Sequence, residues 1–228
     1  MKIICVDSNY RAHNAEMHHS EPTESPILFL KPETALARPG WPFFVPDFSA
    51  QVDYETELVV RINHLGKCIP ERYAYRYYDE VTIGLSFTCR DLQRDLSARG
   101  LPWEVAKGFD GSAHVGRWIT LSELADSRRP GIGGGEGVPS VQDVATAEPS
   151  PWPLRFTMQL NGLQQLEGDT DRMLHSVDRI ISYASRFYLL KTGDLIFTGT
   201  PAGVGPVHSG DLITAQLEGR EVLRVRVK

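Results

Sequence analysis

Apolar and polar positions alternate along this chain so as to divide it into short strands with few helices between them. Residues 2–6, apolar after Lys2, read as a short strand. Asn9 to His19 can form a short helix, followed by a polar, Pro-containing loop from Ser20 to Ser25. Pro26 to Pro32 reads as a short buried strand ending at Lys31, and residues 37–50 as a Pro-rich loop carrying Trp41, Phe43 and Phe44. Residues 53–62 hold β-branched and apolar side chains with no Gly or Pro, so a strand is predicted. A turn at 63–67, a Tyr-rich helical segment at 71–78 and a strand from Val81 to Phe87 follow. Thr88 is placed to cap a helix bearing Leu92 and Leu96, which Gly100 would end.

The second half opens on alternation from Leu154 to Leu160 and a tight turn at Asn161-Gly162. Asp169 or Thr170 is expected to cap a helix reaching Tyr188. Met173, Leu174, Val177, Ile180, Ile181, Ala184 and Phe187 fall on its apolar stripe. His175 lies outside that stripe and is expected to be exposed. A strand after Gly193 and two more, at 211–217 and 221–227, close the chain. Strands dominate, so the fold class is α+β rather than alternating βαβ.

The 228 residues suit one domain, 1–228, with a lid segment at about 9–25 and a Gly/Pro-rich insertion at about 126–153. The glycines of that insertion are followed by no Gly-Lys-Ser/Thr, so they form no phosphate loop. A net charge of −5 without a long basic run argues against nucleic acid. Cys5, Cys68 and Cys89 are scattered and odd in number, which suits a reducing cytoplasmic setting without disulfides. No run approaches about 18 apolar residues, and the first residues are too short an apolar run for a signal peptide.

Candidate chemistry concentrates on the 53–62 strand. Residues two apart on a strand share a face, so Glu55 and Glu57 project together. An isolated Glu-x-Glu is as a rule a solvated face; a buried one needs neutralising, and a hard divalent cation bound through oxygen is the plain candidate. On the first helix His13 and Glu16 are three apart, which lets a carboxylate orient an imidazole for general base work. Arg90 and Gln93 lie along one side of the predicted 88–100 helix. Lys107, beside aromatics, is either a surface lysine or a holder of a substrate carboxylate. The small residues from Gly199 to Gly205 let backbone amides approach a ligand.

Seven stretches occur in one order: Asn9-Tyr10 with His13 and Glu16; Phe29-Leu30-Lys31-Pro32; Glu55-Thr56-Glu57-Leu58; Thr88-Cys89-Arg90-Asp91-Leu92-Gln93; Leu101-Pro102-Trp103 with Ala106-Lys107; Asn161-Gly162; and Gly193 to Pro206, with its Thr-Gly-Thr-Pro. Together they resemble the fumarylacetoacetate hydrolase family, and its short branch of acylpyruvases and oxaloacetate decarboxylases, from about Asn9 to the end. The resemblance implies a mixed β-roll with a few flanking helices, as a homodimer. It implies Mg²⁺ or Mn²⁺ on Glu55 and Glu57, and hydrolysis or decarboxylation of small 2-oxo or β-diketo acids through a metal-stabilised enolate. The alternatives are isomerisation, or metabolite binding without turnover. His13 and Glu16 would activate water on a lid. Arg90, Gln93 and Lys107 would meet substrate oxygens, with Gly199 and Thr200 at the substrate carboxylate.

One departure bears on the metal. The family's third ligand is an Asp two residues before Thr88, where this chain has Ser86. A hydroxyl is neutral, and affinity rises with ligand charge, so weaker metal binding is expected.

Overall fold

The computed structural model describes residues 1–17, 24–127 and 152–228. Strand β1 (Ile3–Asp7) leads to helix α1 (Arg11–Glu16). Then come β2 (Ile27–Lys31), β3 (Val52–Ile62) and β4 (Tyr78–Cys89), with α2 (Arg90–Ala98) and the single turn α3 (Glu104–Lys107) after them. Two short strands, β5 (Ala113–Val115) and β6 (Ile119–Thr120), precede α4 (Leu121–Ser127). The second half holds β7 (Arg155–Leu160), β8 (Leu163–Asp169), α5 (Val177–Phe187), β9 (Leu195–Phe197), β10 (Gly205–Pro206), β11 (Leu212–Leu217) and β12 (Arg220–Arg226). Mixed sheets with a few helices answer the α+β expectation.

Among the described residues the strands form two sheets. One runs β2-β1-β9-β3-β4-β5, with β10 added to β3 and β6 to β4; the other runs β12-β11-β7-β8. Only β1 and β9 pair in parallel, so the larger sheet is mixed. β3 lies at the centre of it and is buried along nearly its whole length. Its Tyr54, Leu58, Val60 and Ile62 enter the main apolar cluster, which reaches from Ile4 to Val227 and includes both sheets. Its opposite face carries Asp53, Glu55, Glu57 and then Val59, which joins a smaller cluster with Ile3, Cys5 and Phe197. The polar end of that second face is where the site forms.

Two helix expectations change. The predicted cap at Thr88 gives way because β4 continues to Cys89, paired with Val52, so α2 starts at Arg90. The helix predicted from Asp169 or Thr170 begins only at Val177, where Ser176 Oγ accepts from Arg179 N at 3.2 Å. Asp169 instead caps a short 3₁₀ turn, Thr170–Arg172. Long-range partners take the intervening backbone: Leu174 N donates to Asn9 O at 2.9 Å and His175 N to Asn9 Oδ1 at 2.8 Å. Amides committed to Asn9 cannot continue a helix. His175 is consequently buried, not exposed. The Tyr-rich segment is 3₁₀ over Glu71–Tyr77.

The three cysteines are free thiols. Among the described residues no helix is long and apolar enough to cross a membrane. Most of the predicted insertion, and residues 18–23 of the lid segment, lie outside the described residues.

Candidate active site

Glu55 and Glu57 project from β3 with both carboxylates buried. Across the β3–β4 ladder Glu55 faces Ser86 and Glu57 faces Gly84. A Cβ on Gly84 would lie 2.6 Å from Val59 Cγ2 and 2.7 Å from Phe197 Cε1, so only glycine lets the layers close here.

Two cations meet on Glu55. Lys107 Nζ donates to both carboxylate oxygens at 2.8 Å, and Arg90 Nη2 donates to Oε1 at 2.9 Å. Burial pushes this carboxyl up, yet Lys107 and Arg90 outweigh it and hold Glu55 well below the usual carboxylate range. Glu57 has no such partner; burial and the Glu55 charge push it up to about 8, against the pull of the Gly199 N–H at 2.5 Å. The two glutamates, two residues apart, are thus pushed in opposite directions.

Each guanidinium nitrogen of Arg90 makes one local bond. Nε goes to Asp53 Oδ2 at 2.9 Å and Nη1 to Gln93 Oε1 at 2.6 Å. Gln51 Nε2 holds the other Asp53 oxygen at 3.1 Å. Asp53 was not singled out from sequence, although it stands two residues before Glu55 in the same alternation.

α1 lies over this cluster. His13 is buried, and its Nδ1 lies 3.5 Å from Glu16 Oε2. Glu16 in turn accepts from Gly203 N at 3.1 and 3.2 Å, clasping the helix to the tip that follows β9. Asn9 anchors the base of α1: its Nδ2 donates to Thr198 O at 2.7 Å and to His175 O at 3.1 Å. It also packs against Gly199, whose φ of +95° and 2.8 Å approach of a would-be Cβ to Asn9 Cβ exclude a side chain. Thr200 Oγ1 accepts from Thr56 N and donates to Pro201 O, each at 3.2 Å. Gly199 and Thr200 are therefore engaged within the protein, and a substrate carboxylate would have to exchange with these bonds.

The resemblance implies a divalent cation, and the donor set tests it. Among the described residues no three His, Cys, Asp or Glu side chains converge as a metal site. What converges is Glu55, Glu57 and the Ser86 hydroxyl, which is fully buried and has no hydrogen-bond partner. A buried orphan hydroxyl beside two carboxylates fits a cation as a neutral third donor, one charge poorer than three carboxylates. Asp53 cannot make up the difference, because Arg90 and Gln51 hold it.

His13, Glu16, Glu55, Glu57, Ser86, Arg90, Gln93 and Lys107 thus form one linked neighbourhood, joined by Gly199 through Glu57 and by Thr200 through Thr56. Comparison with known proteins identifies the family. The family model described as "Fumarylacetoacetate (FAA) hydrolase C-terminal" matches residues 2–228. A mitochondrial oxaloacetate tautomerase of Mus musculus is 36% identical over 226 residues, covering 99% of this chain and 91% of its own length. An oxaloacetate tautomerase of Escherichia coli K12 is 34% identical over 221 residues, covering 97% and 90%. The crystal structure of fumarylpyruvate hydrolase from Pseudomonas aeruginosa, in complex with Mn²⁺ and pyruvate, superposes with a TM-score of 0.82 at 32% identity, covering 100% of this chain and 89% of that one. With the whole chain matched and these relatives sharing its fold, the chain belongs to the fumarylacetoacetate hydrolase family of enzymes.

Proposed function

We propose that this enzyme moves a proton at the carbon beside the keto group of a small 2-oxo acid, with oxaloacetate keto–enol tautomerisation as its reaction. The observation that carries the proposal is the pairing of buried His13 with the more exposed Glu16 near Glu55, the carboxylate that Lys107 and Arg90 hold. His13 Nδ1 lies 3.5 Å from Glu16 Oε2, which orients the imidazole for proton exchange. In the direction from ketone to enol, the His13 imidazole takes a proton from the carbon between the keto and distal carboxylate groups. The bond electrons pass to the keto oxygen, to which Lys107 Nζ, released from one Glu55 oxygen, donates a hydrogen bond; that oxygen then takes a proton from solvent to complete the enol, and His13 returns its proton to solvent. Glu16 steadies the imidazolium, and Arg90 with Gln93 meets a substrate carboxylate. Glu55, Glu57 and Ser86 would hold a divalent cation, which when bound supplies further electrophilic pull on the keto oxygen.

Isomerisation asks least of a metal seat short of one carboxylate, because no water need be activated and no C–C bond broken. The relatives named oxaloacetate tautomerase support that order. Acylpyruvate hydrolysis is the second reading, favoured by the likeness to a fumarylpyruvate hydrolase. The experiment presents the enol of oxaloacetate, prepared in aprotic solvent, and follows loss of its ultraviolet absorbance with and without Mn²⁺. Loss well above the spontaneous rate, abolished in His13→Ala, is expected. No acceleration, with turnover of an acylpyruvate instead, would replace the first reading by the second.

A further inference from the structure

Lys31 ends β2 with a side chain only 2% exposed. Burying an ammonium costs several kcal/mol unless its donors are met. Here they are met by backbone. Nζ donates to the carbonyl of Lys107 and to Ser112 Oγ at 3.2 Å, with longer contacts of 3.4 Å to the carbonyls of Phe87 and Ser112. Those groups come from three segments: the last residue of α3, the strand position after Ser86, and the turn before β5. Ser112 Oγ also donates to the Lys107 carbonyl at 2.9 Å, so that one oxygen receives two donors.

The segment so held is weak by itself. α3 is four residues long, Glu104–Lys107, too short to be stable alone. Its last residue must nevertheless place an ammonium 2.8 Å from both oxygens of Glu55. Strand termination needs no buried cation, and an apolar side chain in the slot would leave the carbonyls of three segments without this donor.

We propose that Lys31 is a positioning residue: its ammonium staples the end of α3 to β4 and the turn before β5, and so fixes where Lys107 presents its amine to substrate. The proposal rests on the role given to Lys107 above. A misplacement of about 1 Å at a reacting group can cost on the order of a hundredfold in rate.

The test is a double-mutant cycle on the full chain with Mn²⁺ present, reading enol turnover and, by calorimetry, the Kd for oxalate, an enolate mimic. Lys31→Met is expected to lower kcat about tenfold to a hundredfold while KM moves less than about threefold. Ser112→Ala, which removes a parallel hold without removing charge, is expected to act in the same direction more weakly. In a Lys107→Met background neither change should weaken oxalate binding further. If the effects on oxalate Kd multiply, Lys31 acts independently of Lys107 and the proposal falls while the role of Lys107 stands. If Lys107→Met leaves turnover and oxalate binding intact, both fall. Should Lys31→Met not fold, the Ser112→Ala cycle decides by the same criteria.

Discussion

Replacing Ser86 by Asp is the perturbation that bears most directly on the metal seat. The residue stands directly across the β3–β4 ladder from Glu55, where facing Cβ atoms are about 5 Å apart. A carboxylate there would lie roughly 4 Å from a cation held by Glu55 and Glu57. At an effective dielectric of about 20, unit charges at that distance attract by about 4 kcal/mol, so a divalent ion gains about 8 kcal/mol. Stripping water from the ion and hydration or a proton from the new carboxylate returns most of that. A net gain of about 2 kcal/mol remains, roughly thirtyfold in Kd. Without metal the same substitution adds a third buried carboxylate to a pair of which only Glu55 is held by cations, so a stability loss of about 2 kcal/mol is expected in chelator. Titration calorimetry with Mn²⁺, with oxalate present, reads the first quantity, and urea unfolding in chelator and in Mn²⁺ reads the second. Equal Mn²⁺ affinity in both proteins would show that Ser86 is not the missing ligand. Failure of Mn²⁺ to restore stability in the variant would remove the cation from this position altogether.

Three further outcomes follow from the geometry. His13→Ala should lower enol turnover by about a hundredfold to ten-thousandfold in kcat, and Glu16→Gln should lower it less, with steady-state kinetics as the measure. Asn9→Ala removes donors to Thr198 O and His175 O and the acceptor for His175 N, so a loss of about 2–3 kcal/mol is expected in urea unfolding; an unchanged midpoint would refute the clamp. His114 is packed edge-on to Phe43 and Phe87, and burial lowers its imidazole from 6.5 to about 4, against the pull of a hydrogen bond it donates to the Gly111 backbone. Between those two values the unfolded chain binds more protons than the folded one. Stability should therefore fall as the pH drops from about 6.5 to 4, by up to about 3 kcal/mol. His114→Phe should flatten that part of the pH profile, and an unaltered profile would assign the loss to other groups.

The Glu55/Glu57 alternation, the His13–Glu16 spacing and the strand pattern are local, and each is legible because a period of two or of three to four residues fixes which side chains share a face. Ser86 stood out only through the resemblance to the family, whose pattern has an Asp two residues before Thr88. What could not be read was which cation meets which carboxylate. Lys107 and Arg90 converge on Glu55 rather than Glu57 because separate segments, α3 and α2, are brought to one end of β3.

The same holds for the misplaced helix start. Asp169, Thr170 and Ser176 all have capping chemistry, and the run from Met173 to Phe187 has helical spacing throughout. Asn9, 166 residues from His175, settles the matter by taking the amides of Leu174 and His175. Lys31 likewise looks in sequence like an ordinary strand end, and only its enclosure among three backbone segments makes it a buried cation. The sequence by itself determined the strands, the shared faces and the His13–Glu16 spacing, since these depend on short-range periodicity. The tertiary structure alone decided which of the two glutamates is held by cations, the clamp at Asn9 and the hold on Lys107, because burial and long-range hydrogen bonds exist only once distant segments are packed together.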